Sequence, residues 1–252
     1  MKTKVQLIQK IAIVTGGSSG LGLAMTEKFV ANGIVTIITG RDEGRLKKTR
    51  ESLGDLCVPL QMDITRLDLI PAHVKEITAR YGRIDILVNN AGINLKKDLV
   101  SVTDDEFQKV LLTNLVGVFA ISREVSKVMI TQKKGSIINI SSMAAHYGIP
   151  KVVAYSASKA AIEGMTRSMA VDLSPHGILV NCVAPGFIKT KMSSTALDSD
   201  PERKRRVLER TPLGTLGSPE DVANAVYFLV SNENAYITGA VIPIDGGNSI
   251  GF

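Results

Sequence analysis

The chain has no tryptophan, and aromatic residues make up only 4% of its 252 positions. It therefore lacks the stacking platforms that hold single-stranded nucleic acid. Its two cysteines, Cys57 and Cys182, each lie in a strand-like apolar run. Buried, inert thiols are expected rather than a disulfide framework, and a cytoplasmic location with them. His73, His146 and His176 are the only histidines, and none has ligand spacing, so no metal site is implied. No apolar run approaches the roughly 18 residues of a membrane span. The only apolar block near the N-terminus, Ile11 to Val14, is too short for a secretory signal.

A large excess of one charge is also lacking, with 30 Lys and Arg against 24 Asp and Glu. The net charge is +6, and the excess is scattered. The densest run, Arg203-Lys204-Arg205-Arg206, sits inside the polar stretch 198–210. It reads as a solvated helix face rather than a nucleic-acid patch.

What the chain does have is a regular alternation. Nearly continuous Ile, Val and Leu runs recur at Ile11–Val14, Ile34–Thr39, Leu56–Gln61, Ile84–Asn89, Ser136–Ile140, Leu179–Ala184 and Ala240–Ile244. Such runs suit strands of a parallel sheet buried on both faces. Helical patterns lie between them, for example Leu21–Asn32 and Asp104–Thr131. The expectation is an α/β chain: one doubly wound Rossmann-type domain over 1–252, with a seven-stranded parallel sheet flanked by helices. The polar segment 190–215 interrupts the rhythm and is expected to be a substrate lid.

Tyr155 and Lys159 stand four residues apart in Tyr155-Ser156-Ala157-Ser158-Lys159. On a helix both point to one face. A free phenol titrates near ~10, too high for efficient acid–base work near neutrality. An ammonium one turn away favours the phenolate, so the pair reads as a proton-transfer device. A second constellation, Thr15-Gly16-Gly17-Ser18-Ser19-Gly20-Leu21-Gly22, follows the first strand and opens a helix. Glycines there let the backbone approach a pyrophosphate, which free N–H groups at the helix start can meet. Ser18 and Ser19 add hydroxyl donors.

Taken in order, these motifs resemble the short-chain dehydrogenase/reductase family. The match runs from about Lys10 to Asp245-Gly246-Gly247. Thr15-Gly16-x-x-x-Gly20-x-Gly22 resembles the family's cofactor turn, and Asn89-Asn90-Ala91-Gly92 its fourth-strand motif. Asn114, Ser142, Tyr155 and Lys159 fall where the family has its active-site residues, with Ser142 thirteen residues before Tyr155. Pro185-Gly186 matches its nicotinamide-side loop. The resemblance implies that Tyr155 delivers a proton to a substrate carbonyl while Ser142 hydrogen-bonds the same oxygen. It implies that Lys159 supports Tyr155 and holds the nicotinamide ribose, and that Asn114 binds a water connecting Lys159 to solvent. Strand alternation sends the rival Ser141 to the opposite side from Ser142.

The resemblance also assigns cofactor contacts to Gly16, Ser18, Ser19, Gly20, Leu21, Gly22, Arg41, Asp63, Ile64, Asn90, Ala91, Gly92, Pro185, Gly186, Ile188 and Thr190. Asp63 has a second reading, as a helix N-cap. At the end of the second strand, relatives that use NAD carry an acid where this chain has Gly40. Arg41 follows and can pair with a 2′-phosphate, which favours NADP(H). NAD(H) is the alternative, because Asp42 can reach back to Arg41.

The substrate is expected to be a small carbonyl or alcohol, with His146 beside Ser142 and Tyr155 as a contact. A sugar acid or polyol, as in gluconate 5-dehydrogenases, is the first reading. The alternative is a 3-oxoacyl-carrier-protein reductase, for which Arg123, Lys127, Lys133 and Lys134 would form a docking face. Pro175-His176, where such reductases commonly carry an arginine, counts against it. A third reading, of another class, is a non-catalytic dinucleotide-binding regulator. The family resemblance further implies a homotetramer, built partly on the helix Ala154–Ala170. The tail from Asn248 to Phe252 would complete a neighbour's pocket.

Overall fold

The computed structural model of the chain describes residues 9–190 and 200–251. Seven strands form one sheet: β1 (Ile11–Thr15), β2 (Val35–Gly40), β3 (Cys57–Gln61), β4 (Ile86–Asn89), β5 (Gly135–Ile140), β6 (Ile178–Pro185) and β7 (Val241–Ile244). Their order is β3-β2-β1-β4-β5-β6-β7, and every adjacent pair is parallel. All seven expected runs are strands. β4 starts two residues late, because side chains serve the backbone there. Gln132 accepts from Ile84 N and donates to Ile84 O, and Asp85 accepts from Ile11 N.

Alternate residues of each strand feed opposite cores. Ile11, Ile13, Val35, Ile37, Leu87, Ile137 and Val180 meet Ile77 of α3 (Ile70–Tyr81) and Ile121 and Val125 of α5 (Gly117–Gln132). Ala12, Val14, Ile86, Val88, Ile138 and Val183 meet α1 (Gly20–Ala31) and a later helix, Pro219–Val230. Helices on both faces are what unbroken Ile/Val runs demand. Between β2 and β3 lies α2 (Glu43–Leu53).

The long helical pattern from Asp104 is two helices. α4 (Asp104–Leu111) opens on a Thr103–Glu106 capping box, which satisfies two otherwise unpaired N–H donors. A π-helical turn, Leu112–Val116, then leads into α5. The turn carries Asn114 inward. Gly117 follows it because a Cβ there would lie 2.7 Å from Ile64 O. α6 (Val153–Leu173) is the longest helix described.

After β6, residues 191–199 of the expected lid lie outside the described residues. The rest of it contains α7 (Pro201–Arg210) and a turn leading to α8 (Pro219–Val230). Arg205 pairs with Glu209, and Arg206 with Glu202, each at 2.7 Å along the exposed face of α7. Such i,i+4 pairs contribute about 0.3–0.5 kcal/mol each. Cys57 and Cys182 are buried and unpaired. Burial pushes their thiols up to about 11 and about 12 respectively. Among the described residues no helix is long and apolar enough to cross a membrane.

Candidate active site

The strand order reverses between β1 and β4, and the crevice beyond their C-terminal ends is where an open α/β sheet binds ligands. Thr15, at the end of β1, ties that crevice together. Its Oγ1 accepts from Asn90 N at 2.9 Å and Ala91 N at 3.0 Å, and donates to Val88 O. Asn90 Nδ2 donates to Thr15 O at 2.9 Å. The Asn90 amide thus shapes the glycine turn from below, while Ala91 and Gly92 continue past it.

The turn itself is glycine for steric reasons. A Cβ on Gly22 would sit 2.2 Å from Gly16 O, inside any allowed contact. Gly20 has φ +52, a left-handed backbone, and its outer side is open except for Thr190 at 4.0 Å. Leu21 follows it into α1. No side chain caps α1, although Ser19 occupies the cap position, and no acid stands in its first turn. Free N–H groups beside open space fit a pyrophosphate. Ser18 and Ser19 flank them.

The end of β2 supplies the other half of the fit. Asp42 caps α2, its Oδ1 accepting from Arg45 N at 3.0 Å. It also pairs with Arg45 rather than Arg41. The Arg41 side chain is exposed and makes no hydrogen bond or ion pair with described residues. A Cβ on Gly40 would meet only Leu46 at 3.7 Å and Ser18 at 3.9 Å. Asp63 is not the cap of α3, which begins at Ile70. It accepts from the N–H and hydroxyl of Thr65 at 2.9 and 2.8 Å. The Thr65 N–H, its hydroxyl, Arg41 and Arg66 hold this carboxyl below its ordinary range. Ile64, next to it, is buried against Gly117.

Three elements converge at the reacting end. α6 presents Tyr155 and Lys159, with Lys159 Nζ 5.5 Å from the centre of the Tyr155 ring. Lys159 is 5% exposed, and its ammonium donates to Ile140 O, the last carbonyl of β5, at 2.6 Å. Asn114 holds α6 against the loop after β4. Its Oδ1 accepts from Ile93 N, and its Nδ2 donates to Ile93 O and to Ser158 Oγ, which in turn donates to Tyr155 O. A point 3.2 Å from Asn114 Oδ1 and 3.8 Å from Lys159 Nζ lies off Gly92, where a side chain would begin. Ser141 and Ser142 face opposite ways. Ser141 is buried and bonded to Glu163, whereas Ser142 is half-buried and, among the described residues, accepts only from Ala144 N.

The loop after β6 closes the site from the far side. Gly186 sits where a Cβ would be 2.7 Å from Asp245, so Pro185-Gly186 turns tightly against the end of β7. Ile188 is buried and bridges to Gly217, and Thr190 reaches Gly20. A cavity of about 460 Å³ opens among Lys97, Ala144, His146, Tyr147, Lys151 and Ser156. A second, of about 320 Å³, lies among Ile149, Phe187, Arg206, Val207 and Arg210 and shares Tyr147 with the first.

Two features were not legible in advance. Glu163 bonds both Ser141 and His146; its signal was an acid four residues after Lys159. Tyr147 donates to Asn248 Oδ1 at 2.5 Å beneath the Arg210 guanidinium, 4.5 Å from the ring centre. Asn248 is 1% exposed and also donates to Thr211. The tail from Asn248 to Gly251 therefore packs against its own α7.

Comparison with known proteins agrees with this geometry. A family model described as enoyl-(acyl carrier protein) reductase matches residues 16–249. The 3-oxoacyl-acyl-carrier-protein reductase FabG of Thermotoga maritima is 41% identical over 96% of this chain and 99% of its own length. The structure of ElxO with NADP bound has a TM-score of 0.89 and 34% identity, over 95% of this chain and 98% of that one. A chain from Agrobacterium tumefaciens assigned as a gluconate dehydrogenase has a TM-score of 0.92 and 32% identity, over 97% and 98%. With a parallel seven-stranded sheet, a glycine turn at its switch point and Tyr155 and Lys159 on one helix face, the chain is an oxidoreductase of the short-chain dehydrogenase/reductase family.

Proposed function

We propose that this protein reduces the 3-keto group of an acyl thioester carried on an acyl carrier protein, using NADPH. The convergence of Ser142, Tyr155, Lys159 and Asn114 beyond β4 and β5 carries the reaction class. The curated relatives favour the thioester over the sugar acid that the sequence first suggested. The unpaired Arg41 and the ElxO complex support NADP(H) over NAD(H).

When bound, the reduced nicotinamide supplies a hydride to the carbonyl carbon. Negative charge then grows on the oxygen. Ser142 Oγ–H, unspent on described residues, donates to that oxygen and is worth most in the transition state. Tyr155 gives the oxygen its proton, completing the alcohol. Lys159 has two N–H donors left beyond Ile140 O, enough for a ribose hydroxyl and a water. Asn114 Oδ1 has one spare lone pair. A water bound to it beside Lys159 joins Lys159 to solvent and returns the proton to Tyr155. Gly92→Ala brings a methyl group to 3.2 Å from Asn114 Oδ1 and 3.8 Å from Lys159 Nζ, crowding that water. It is expected to lower kcat about tenfold, measured by single-turnover kinetics, with a titration separating any loss of NADPH affinity.

The docking face is narrower than expected from the sequence. Glu124 pairs with both Arg123 and Lys127, at 2.8 and 2.7 Å, leaving Lys133 and Lys134 as the uncommitted charges. The assembly is a homotetramer in a cytoplasmic setting. Leu112, Val116 and Phe119 form an exposed apolar stripe, with Phe119 48% exposed, and Ala157, Ala160 and Gly164 leave α6 bare beside them. Light scattering at micromolar concentration is expected to give four times the chain mass, and Gly164→Arg a smaller species.

Initial rates of NADPH oxidation with an acetoacetyl thioester and with 5-ketogluconate decide the substrate. Turnover of the thioester alone is expected. Turnover of the keto acid alone would return the protein to sugar-acid chemistry.

A further inference from the structure

Glu163 is a buried acid, 8% exposed, with no part in the chemistry above. It lies on α6 four residues after Lys159 and eight after Tyr155, so all three share one helix face. Ser141 Oγ donates to Glu163 Oε1 at 2.7 Å, and His146 Nε2 lies 2.8 Å from the same oxygen. Ser141 also reaches Lys159 O at 3.2 Å. The other ionisable groups nearby offer Glu163 no donor. The Lys159 ammonium is turned to Ile140 O, and the Cys182 thiol of β6 is pushed up to about 12 by burial.

A carboxylate oxygen only accepts, so Nε2 of His146 carries the hydrogen in this contact. That leaves Nδ1. No described residue hydrogen-bonds it, the side chain is 34% exposed, and the ring lines the larger cavity with Lys97 and Lys151. The ring is thus held by one nitrogen on a buried anchor and offers the other to whatever occupies the cavity. The same anchor grips Ser141, one residue before Ser142.

We propose that Glu163 is a positioning residue that acts through His146. It fixes the tautomer and direction of the ring, so that Nδ1 meets a polar group of the substrate while Tyr155 and Ser142 take the carbonyl. Only the kinetic arm of the test below rests on the thioester reading.

Two measurements test this on the full chain with NADPH bound. Nitrogen-15 spectra of the three histidines, with His146→Gln for assignment, are expected to show the Nε2–H tautomer at His146, lost in Glu163→Leu. An Nδ1–H tautomer in the wild type overturns the proposal. In kinetics, His146→Ala and Glu163→Leu are each expected to raise KM for the acetoacetyl thioester about tenfold, with kcat and NADPH Kd within about twofold. The double variant is expected to be no worse than His146→Ala alone, because the acid works through the ring. Glu163→Gln, which keeps an acceptor oxygen, is expected to stay near wild type and also guards against a Leu variant that does not fold. Multiplying effects, or a fall in kcat at unchanged KM, would assign Glu163 a structural role only. A wild type inactive on the thioester would sink the substrate reading, while the tautomer would still decide this one.

Discussion

Tyr155→Phe will lower kcat about 100- to 10,000-fold while leaving NADPH affinity within about twofold. The substitution removes one oxygen and keeps the ring. That ring sits on the first turns of α6, with the Lys159 ammonium 5.5 Å from its centre and the Tyr155 carbonyl held by Ser158. Neither contact uses the hydroxyl, so the fold of the site survives. Lys159 keeps its bond to Ile140 O, and the glycine turn is untouched. What disappears is the hydroxyl proposed above to hand a proton to the developing alkoxide. Single-turnover absorbance at the nicotinamide band gives the rate, and fluorescence titration gives the affinity. A variant retaining more than a tenth of wild-type kcat would show that the proton comes from elsewhere.

Arg41→Ala should raise KM for NADPH about 10- to 150-fold and leave KM for NADH unchanged. A hydrogen bond to a charged group contributes about 1.5–3 kcal/mol, and each 1.4 kcal/mol is a factor of ten. The whole effect should fall on one cofactor, because only one carries the 2′-phosphate. The structure supports this through what surrounds Arg41. Asp42 is engaged with Arg45 and the start of α2, so it does not pair with the Arg41 guanidinium. Gly40 has room for a side chain, with nothing closer than 3.7 Å to its Cβ position. Gly40→Asp in the Arg41→Ala background should therefore fold and move the preference toward NADH. Equal losses for both cofactors would place the 2′-phosphate away from Arg41.

Much of this was legible in the chain because its signals are local. Seven Ile/Val runs mark seven strands, since a parallel strand covered on both faces has no polar side to break the run. Tyr155 and Lys159 share a helix face by spacing alone, and Ser141 and Ser142 part by strand alternation. The π turn at Asn114 was not legible. It is one residue of extra winding inside a good helical pattern, selected by packing of Gly117 on Ile64. Nor was the state of Asp42, which along the chain can reach back to Arg41 but which the fold turns to Arg45. The cap geometry of α2 chooses between them.

The amino-acid sequence by itself determined the parallel sheet, the glycine turn at its switch point and the shared helix face of Tyr155 and Lys159, because periodicity and spacing act over a few residues. Only the tertiary structure decided that Glu163 contacts His146, that Tyr147 and Arg210 hold the tail at Asn248, and that Asp42 turns to Arg45, leaving Arg41 without an ion pair among the described residues. Those contacts join elements far apart in the chain, and a buried polar group takes whichever partner the fold brings within hydrogen-bonding distance.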